Sequence, residues 1–308
     1  MQGGTCPIFP CDFCEMPGLG INMKIKDIFT CKKPVLSFEI FPPKRDTSLR
    51  DIDETLDILS ELKPDFISVT FGAGGSSNNN KTIEIARKLK HRYHIEPLVH
   101  LTCSSYTKSE IDSFIHVLSE NGIENILALR GDKSPEASEK SDFSYASELT
   151  GYLRKSTDFC LAGACYPECH PESKNKIQDL SYLKEKVNSG SDFLITQLFF
   201  ENDYFYSFVE SCRIAGINVP VTAGIMPVIN KSQIERIVSL CGASLPDRFK
   251  KILTRYENNP LALFDAGMSY ALSQIIDLLV NNTEGVHLYT MNNPAVAKRI
   301  CEGIKNII

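Results

Sequence analysis

Glu39 is an acid set among apolar neighbours, in the run Ser37-Phe38-Glu39-Ile40-Phe41-Pro42-Pro43-Lys44. A carboxyl stripped of water favours its neutral form, so burial is expected to raise its pKa and poise it as a proton donor near neutrality. A structural ion pair with a lysine such as Lys44 is the competing use. Leu127-Ala128-Leu129-Arg130-Gly131-Asp132 ends another apolar run with opposite charges around a glycine. Gly131 permits close backbone approach to a ligand. Asp132 suits a cation or an electron-poor ring, with an Arg130–Asp132 turn contact as the alternative. Gln197, within Ile195-Thr196-Gln197-Leu198-Phe199-Phe200, both donates and accepts hydrogen bonds. That fits an amide-rich heterocycle, or a polar residue that fills a lumen.

Two further segments have weaker chemistry. Cys165-Tyr166-Pro167-Glu168-Cys169-His170-Pro171-Glu172 carries metal-ligand types, but zinc needs about four ligands in defined geometry and two prolines stiffen the run. It reads as a rigid ligand-binding loop. Gly72-Ala73-Gly74-Gly75-Ser76-Ser77 resembles a truncated dinucleotide fingerprint whose last glycine is serine, and it reads as a tight strand-to-helix turn. No Walker phosphate loop and no Ser/His/Asp nucleophile arrangement stands out.

Eight apolar runs position these residues: Val35–Phe41, Phe66–Phe71, Pro97–Thr102, Asn125–Arg130, Cys160–Cys165, Phe193–Phe199, Val219–Ile225 and Val286–Thr290. At or just past their C-terminal ends stand Glu39, Thr70, His100, Asp132, Tyr166 with His170, Gln197, Met226 and Tyr289. The runs are nearly continuous in apolar residues, as expected of strands covered on both faces. Helical spacing follows each, and Gly122, Gly190 and Gly216 sit where a helix must turn into the next strand. Eight such units predict an α/β fold, a parallel eight-stranded (β/α)8 TIM barrel with its active site at the C-terminal mouth. Between the seventh and eighth strands, extra helices are expected at Ser232–Leu240, Pro246–Tyr256 and Pro260–Val280. A doubly wound open sheet competes, but its glycine fingerprint is missing after the first strand.

Composition narrows the function. At 308 residues, 43% hydrophobic and 23% charged, the chain suits one barrel domain over residues 23–308. Residues 1–22, rich in Gly and Pro, read as a disordered leader in which Cys11 and Cys14 form a lone CxxC. The net charge of −5 gives no basic footprint for nucleic acid. No apolar run of membrane-spanning length is apparent and no secretory signal opens the chain, so a cytoplasmic location is expected. Cys103, Cys160, Cys165 and Cys212 fall in apolar runs and read as buried free thiols.

The segments SFEIFPP, FISVTFGAGG, HLTC, NILALRGD, YPECHPE, KVNSGSDFLITQLFF, GIMPV and HLYTMN, in this order from Val35 to Asn292, closely resemble the methylenetetrahydrofolate reductase family. The resemblance implies a bacterial-type catalytic barrel alone, which binds FAD without a Rossmann unit and reduces 5,10-methylenetetrahydrofolate to 5-methyltetrahydrofolate. It matches the family's FAD contacts to Thr70, His100, Leu129, Arg130, Gly131, Asp132, Tyr145, Ala146, Tyr166, His170, Asp179 and Lys186. It makes Glu39 the general acid, Asp132 the residue that tunes the flavin and contacts the pterin, and Gln197 and Tyr289 substrate contacts. Protonation opens the folate's five-membered ring to an iminium cation, which takes hydride from reduced flavin. NADH or NADPH is the implied donor; a partner protein that delivers electrons is one alternative, and a zinc protein using the Cys and His residues is another. The assembly is expected to be a homo-oligomer or a hetero-complex. Two positions depart from the family pattern: Lys231 stands where a stacking aromatic is common, and Asn293 where an arginine is common.

Overall fold

The computed structural model describes residues 23–43, 49–71, 76–104, 106–131 and 141–308. Asp132, Lys44, Gly72 to Gly75 and the leader therefore lie outside the described residues. Eight parallel strands close into a barrel in sequence order: β1 (Val35–Ile40), β2 (Phe66–Val69), β3 (Glu96–Thr102), β4 (Asn125–Leu129), β5 (Cys160–Cys165), β6 (Phe193–Thr196), β7 (Val221–Ile225) and β8 (Gly285–Tyr289). The expected TIM barrel is therefore the observed fold, with each strand within a few residues of its predicted span.

The helices are α1 (Ile25–Cys31), α2 (Leu49–Glu61), α3 (Ser76–His91), α4 (Lys108–Glu120), α5 (Ala146–Ser156), α6 (Lys176–Asn188) and α7 (Asn202–Ile214), then α8 (Lys231–Cys241), α9 (Asp247–Tyr256), α10 (Pro260–Val280) and α11 (Pro294–Ile304). The three extra helices before the last strand are α8, α9 and α10, as the periodicity predicted. Their starts are chemically marked. Asn230 and Asn259 accept from backbone amides of the first turns of α8 and α10, and α10 opens on Pro260. Helix α10 is apolar enough, at 21 residues and mean hydropathy 1.3, to cross a bilayer by length and composition. This corrects the reading that no such run exists. Here its Leu263, Met268, Ala271, Ile275 and Leu278 are buried, within the core clusters around the barrel.

Helix α1 was not anticipated. Its Ile25, Ile28 and Phe29 pack with Val35, Phe66, Leu98, Leu127 and Phe193, all on the lower lumen-facing register of their strands. The Ile25 amide donates to Asn125 Oδ1 at 2.9 Å, which anchors the helix start to the base of β4. A seven-residue helix has little intrinsic stability, so its position depends on this packing. It stops the N-terminal end of the lumen with apolar side chains and leaves the opposite end for chemistry.

Truncating this plug tests the arrangement. Phe29 is 3% exposed, and Phe29→Ala is expected to cost about 3–5 kcal/mol of unfolding free energy in urea. A loss below about 1 kcal/mol would show that the plug is not part of the core.

Candidate active site

Side chains alternate across a strand, so the register decides which residues enter the lumen. Ser37 pairs with His287 and Glu39 with Tyr289 across β1–β8, Glu39 with Ser68 across β1–β2, and His100 with Leu127 across β3–β4. Glu39, His100, Leu129 and Tyr289 share the lumen-facing register. Thr70, Tyr166, Gln197 and Met226 continue it one residue beyond β2, β5, β6 and β7. Most of the expected strand-end residues thus converge on one mouth.

At its centre Glu39 Oε2 lies 3.5 Å from His100 Nε2 and 3.8 Å from His287 Nε2. The Glu39 side chain is 20% exposed and His287 fully buried, so the carboxylate is reached from the mouth while the imidazole lies beneath it. His287 Nδ1 is 2.7 Å from Ser37 Oγ, and its Nε2 is 3.4 Å from Ser68 Oγ. His100 Nε2 is buried with no hydrogen-bond partner among the described residues.

The electrostatics correct one expectation. Burial does push the Glu39 carboxyl up, but the contact with His287 and the proximity of the His100 and His287 rings outweigh it, and the net direction is down. Burial drives His100 down to about 4, so that ring is neutral near pH 7. The sequence shows the desolvating phenylalanines but not the imidazoles brought in from β3 and β8.

The YPECHPE segment forms the next wall. Arg130 holds Glu172 in a two-pronged pair, both contacts at 2.8 Å. Tyr166 and His170 meet edge to face with ring centroids 4.6 Å apart. His170 Nδ1 accepts from the Glu172 amide at 3.0 Å, and burial lowers this ring's pKa. Asp179 accepts from the His170 amide at 3.1 Å and from Ser173 Oγ at 2.9 Å, so it braces the loop. Cys169 has φ +148°, a backbone state that costs L-residues about 1–3 kcal/mol.

Other expected residues are placed as follows. Gln197 Oε1 accepts from the Leu198 amide at 2.9 Å. Tyr289 donates its hydroxyl to Thr196 O at 2.6 Å. Its ring fits only because Gly224 faces it: a Cβ there would lie 2.8 Å from the tyrosine hydroxyl and 2.2 Å from Thr196 O. Gly131 has φ +87°, in the left-handed region that favours glycine. Exposed Tyr145 caps α5 and Ala146 begins it. Lys186 reaches from α6 to donate to Ala164 O at 2.7 Å, with its Cδ against Gly163, and does not join the Glu39 cluster. Desolvation lowers its pKa against the raising influence of Cys165 and Asp179.

His287 was missed as a functional candidate. The signal was its position two residues before Tyr289, hence on the same face of the strand. Thr290 and Asn292 were also missed: Thr290 Oγ1 donates to Glu39 O at 2.6 Å, and the Asn292 amide brackets Phe41 by accepting from its N–H and donating to its carbonyl.

Comparison with known proteins decides the family. A family model described as methylenetetrahydrofolate reductase matches residues 24–305. The chain belongs to the methylenetetrahydrofolate reductase family. It is 34% identical over 266 residues to 5,10-methylenetetrahydrofolate reductase of Escherichia coli (strain K12), covering 86% of this chain and 89% of that one. It is 34% identical over 285 residues to methylenetetrahydrofolate reductase (NADH) 1 of Arabidopsis thaliana, covering 87% of this chain but 48% of the plant protein. The chain thus spans about half the length of the plant relatives it matches. A Clostridium thermocellum protein described as binding two copies of 5-methyl-5,6,7,8-tetrahydrofolic acid superposes with TM-score 0.62 at 14% identity, over 92% of this chain and 98% of that one. At that identity the likeness is one of fold. Lys231 and Asn293, expected to depart from the family pattern, have local partners here: Lys231 pairs with Glu257, and Asn293 accepts from the Ala295 amide to cap α11.

His100 sets a pH dependence. Its folded pKa of about 4 lies below the ordinary 6.5, so on acidification the unfolded chain takes up a proton that the folded chain refuses. Stability is present above the ordinary value and is lost as pH falls toward the folded one, by roughly 3 kcal/mol at 1.36 kcal/mol per unit. The depressed Glu39 carboxyl adds a loss of the same sign at lower pH. Urea midpoints at about pH 7 and about pH 4.5 should fall less steeply in His100→Gln than in the native chain. Parallel losses would assign the acid limb to other groups.

Proposed function

We propose that this chain reduces 5,10-methylenetetrahydrofolate to 5-methyltetrahydrofolate with non-covalently bound FAD, and that Glu39 is the general acid. The observation that supports it most is a lumen carboxylate, at the mouth of a barrel of this family, reachable from solvent and backed by buried imidazoles. The residues fit a flavin: His100 offers an unpartnered buried nitrogen, Gly131 brings positive-φ backbone to the rim, and the Lys186 ammonium has donors beyond its bond to Ala164. Thr70, Leu129, Arg130, Tyr145, Ala146, Tyr166, His170 and Asp179, with Asp132, complete the proposed FAD set. When bound, FAD supplies the hydride chemistry.

The protein's own residues then orient, desolvate and move a proton. Gln197 uses its amide donors on the pterin, since its oxygen is already engaged by Leu198. Tyr289, fixed by Thr196, lines the opposite wall. Glu39 rests ionised; substrate that covers its 20% exposed face removes water that favours the anion and raises its proton affinity. Protonation of the folate nitrogen opens the ring and leaves a cation, for which Asp132 is the proposed counter-charge. The eight free thiols among the described residues accord with a reducing compartment, and the reaction is placed in the cytoplasm with NADH or NADPH as donor.

Purified chain should be yellow, with about one FAD each, and should bleach anaerobically on adding NADH or NADPH. Reoxidation by methylenetetrahydrofolate should fall about 10²- to 10⁴-fold in Glu39→Gln, with bleaching by the nicotinamide unchanged. Colourless protein that takes up no FAD would overturn the reading. Bleaching only with a second protein present would make this chain the flavin subunit of a complex.

A further inference from the structure

Gln197 can orient a substrate only as well as it is itself oriented. Its side-chain oxygen accepts from the next amide, Leu198 N–H, at 2.9 Å, so the direction of its NH2 group follows the tilt of its own backbone. We infer that the Tyr289 hydroxyl is a positioning group for Gln197: bonded to the Thr196 carbonyl across Gly224, it fixes the peptide that leads into Gln197 and so aims the side-chain amide at the folate. The inference rests on the reading of Gln197 as a folate contact.

Three strands meet at this bond. Paired residues of β6 and β7 stop at Ile195 with Thr222. Past that point the Gly224 amide donates to Thr196 Oγ1 at 2.8 Å. Thr196 is fully buried, and a buried carbonyl needs a donor. Tyr289 supplies one from β8, its hydroxyl 2.6 Å from Thr196 O. On the other edge of the same peptide, Gln197 N–H donates to Cys165 O on β5 at 2.7 Å. One planar unit is thus held from both edges, and its planarity passes the restraint to the Gln197 Cα.

Gly224 makes the crossing possible. A Cβ there would lie 2.2 Å from Thr196 O and 2.8 Å from both Cε2 and the hydroxyl of Tyr289, in the path of the bond. The Tyr289 ring meets the His287 ring edge to face at 5.3 Å. Burial raises the phenol pKa well above the ordinary value, so the hydroxyl stays a donor.

Other bonds to this segment act farther along it. From α10, Gln274 Nε2 donates to Phe199 O at 3.0 Å and the Tyr270 hydroxyl to Phe200 O at 2.8 Å. They hold the residues beyond Leu198 and leave the Thr196–Gln197 peptide to Tyr289 and Cys165. A phenol has one proton to donate, and here Thr196 takes it. Removing the hydroxyl therefore reaches the substrate through Gln197, where a misplacement of about 1 Å is costly.

Tyr289→Phe keeps the ring and removes the bond. In the FAD-loaded full chain, 5-methyltetrahydrofolate titrated by calorimetry should bind about fivefold more weakly to this variant, the worth of one hydrogen bond. In a Gln197→Ala background the same substitution should weaken binding no further. Unchanged binding in Tyr289→Phe, or an equal loss with and without Gln197, would overturn the inference. Gly224→Ala attacks the bond from the other side and should copy Tyr289→Phe; where it does not fold, Tyr289→Phe decides alone. A second readout needs neither flavin nor folate. Hydrogen exchange at the Gln197 amide should quicken at least about tenfold in Tyr289→Phe, while amides of β2 and β3 keep their native protection. No quickening, or the same quickening in every strand, would leave Tyr289 a merely structural role and overturn the inference. Gln197→Ala that binds folate as tightly as the native chain overturns the parent reading instead, while the exchange still decides what holds the peptide.

Discussion

A closed barrel of eight strands has an interior of side chains, so a carboxylate built into it must find its compensation on other strands. Glu39 does so at a level where the lumen changes character. Below it, Val35, Phe66, Leu98, Leu127 and Phe193 pack against the α1 plug. Just beneath the carboxylate, Ser37, Ser68 and His287 form a small polar layer. Much of the local architecture follows from holding these groups in step. Thr290 and Asn292 clip the end of β8 to the end of β1, so the strand that carries His287 cannot slide against the strand that carries Glu39. A slip of one residue would turn both side chains out of the lumen.

The second constraint lies in the loops. Arg130 after β4 grips Glu172 after β5, Asp179 on α6 braces His170, and Glu168 accepts from the Ser244 amide between α8 and α9. The end of β4, the start of α6 and the α8–α9 connection are thus tied to one segment. The Cys169 backbone is held at a disfavoured φ by the anchors on both sides, as happens where geometry outranks local comfort. Arg130 and Asp179, expected as cofactor contacts, also hold the rim in shape through Glu172, His170 and Ser173.

The barrel was legible because its signals are local: apolar runs followed by helical spacing repeat eight times, and Gly122, Gly190 and Gly216 mark three of the turns. Convergence of Glu39, His100, Gln197 and Tyr289 was legible for the same reason, since strand ends in such a fold share one mouth. Helix α1 was not, because seven residues carry too little periodicity and its position is fixed by packing alone. His287 escaped because a lone histidine in an apolar strand looks like any satisfied core residue. Only the β8–β1 register places it opposite Ser37 and under Glu39. The direction of the Glu39 shift failed for the same reason. Neighbours in sequence show what removes water, whereas neighbours in space decide which charge remains.

Lys231 and Asn293, the positions expected to depart from the family pattern, show how the parts of the site are separable. Lys231 is engaged by Glu257 at the start of α8, and Asn293 closes the first turn of α11. Both belong to the rim beside β7 and β8, where Met226, Val228, Ile234, Thr290 and Met291 line a shallow cleft. Among the described residues neither touches Glu39, His100 or His287, whose side-chain partners there come from β1, β2, β3 and β8. Substitutions there change what the rim can hold without disturbing the charge balance in the lumen. The proton chemistry is anchored in strands that must stay in register, and the rim is built from helix starts that satisfy their own backbone amides. A barrel can therefore vary the second while the geometry of the first is preserved.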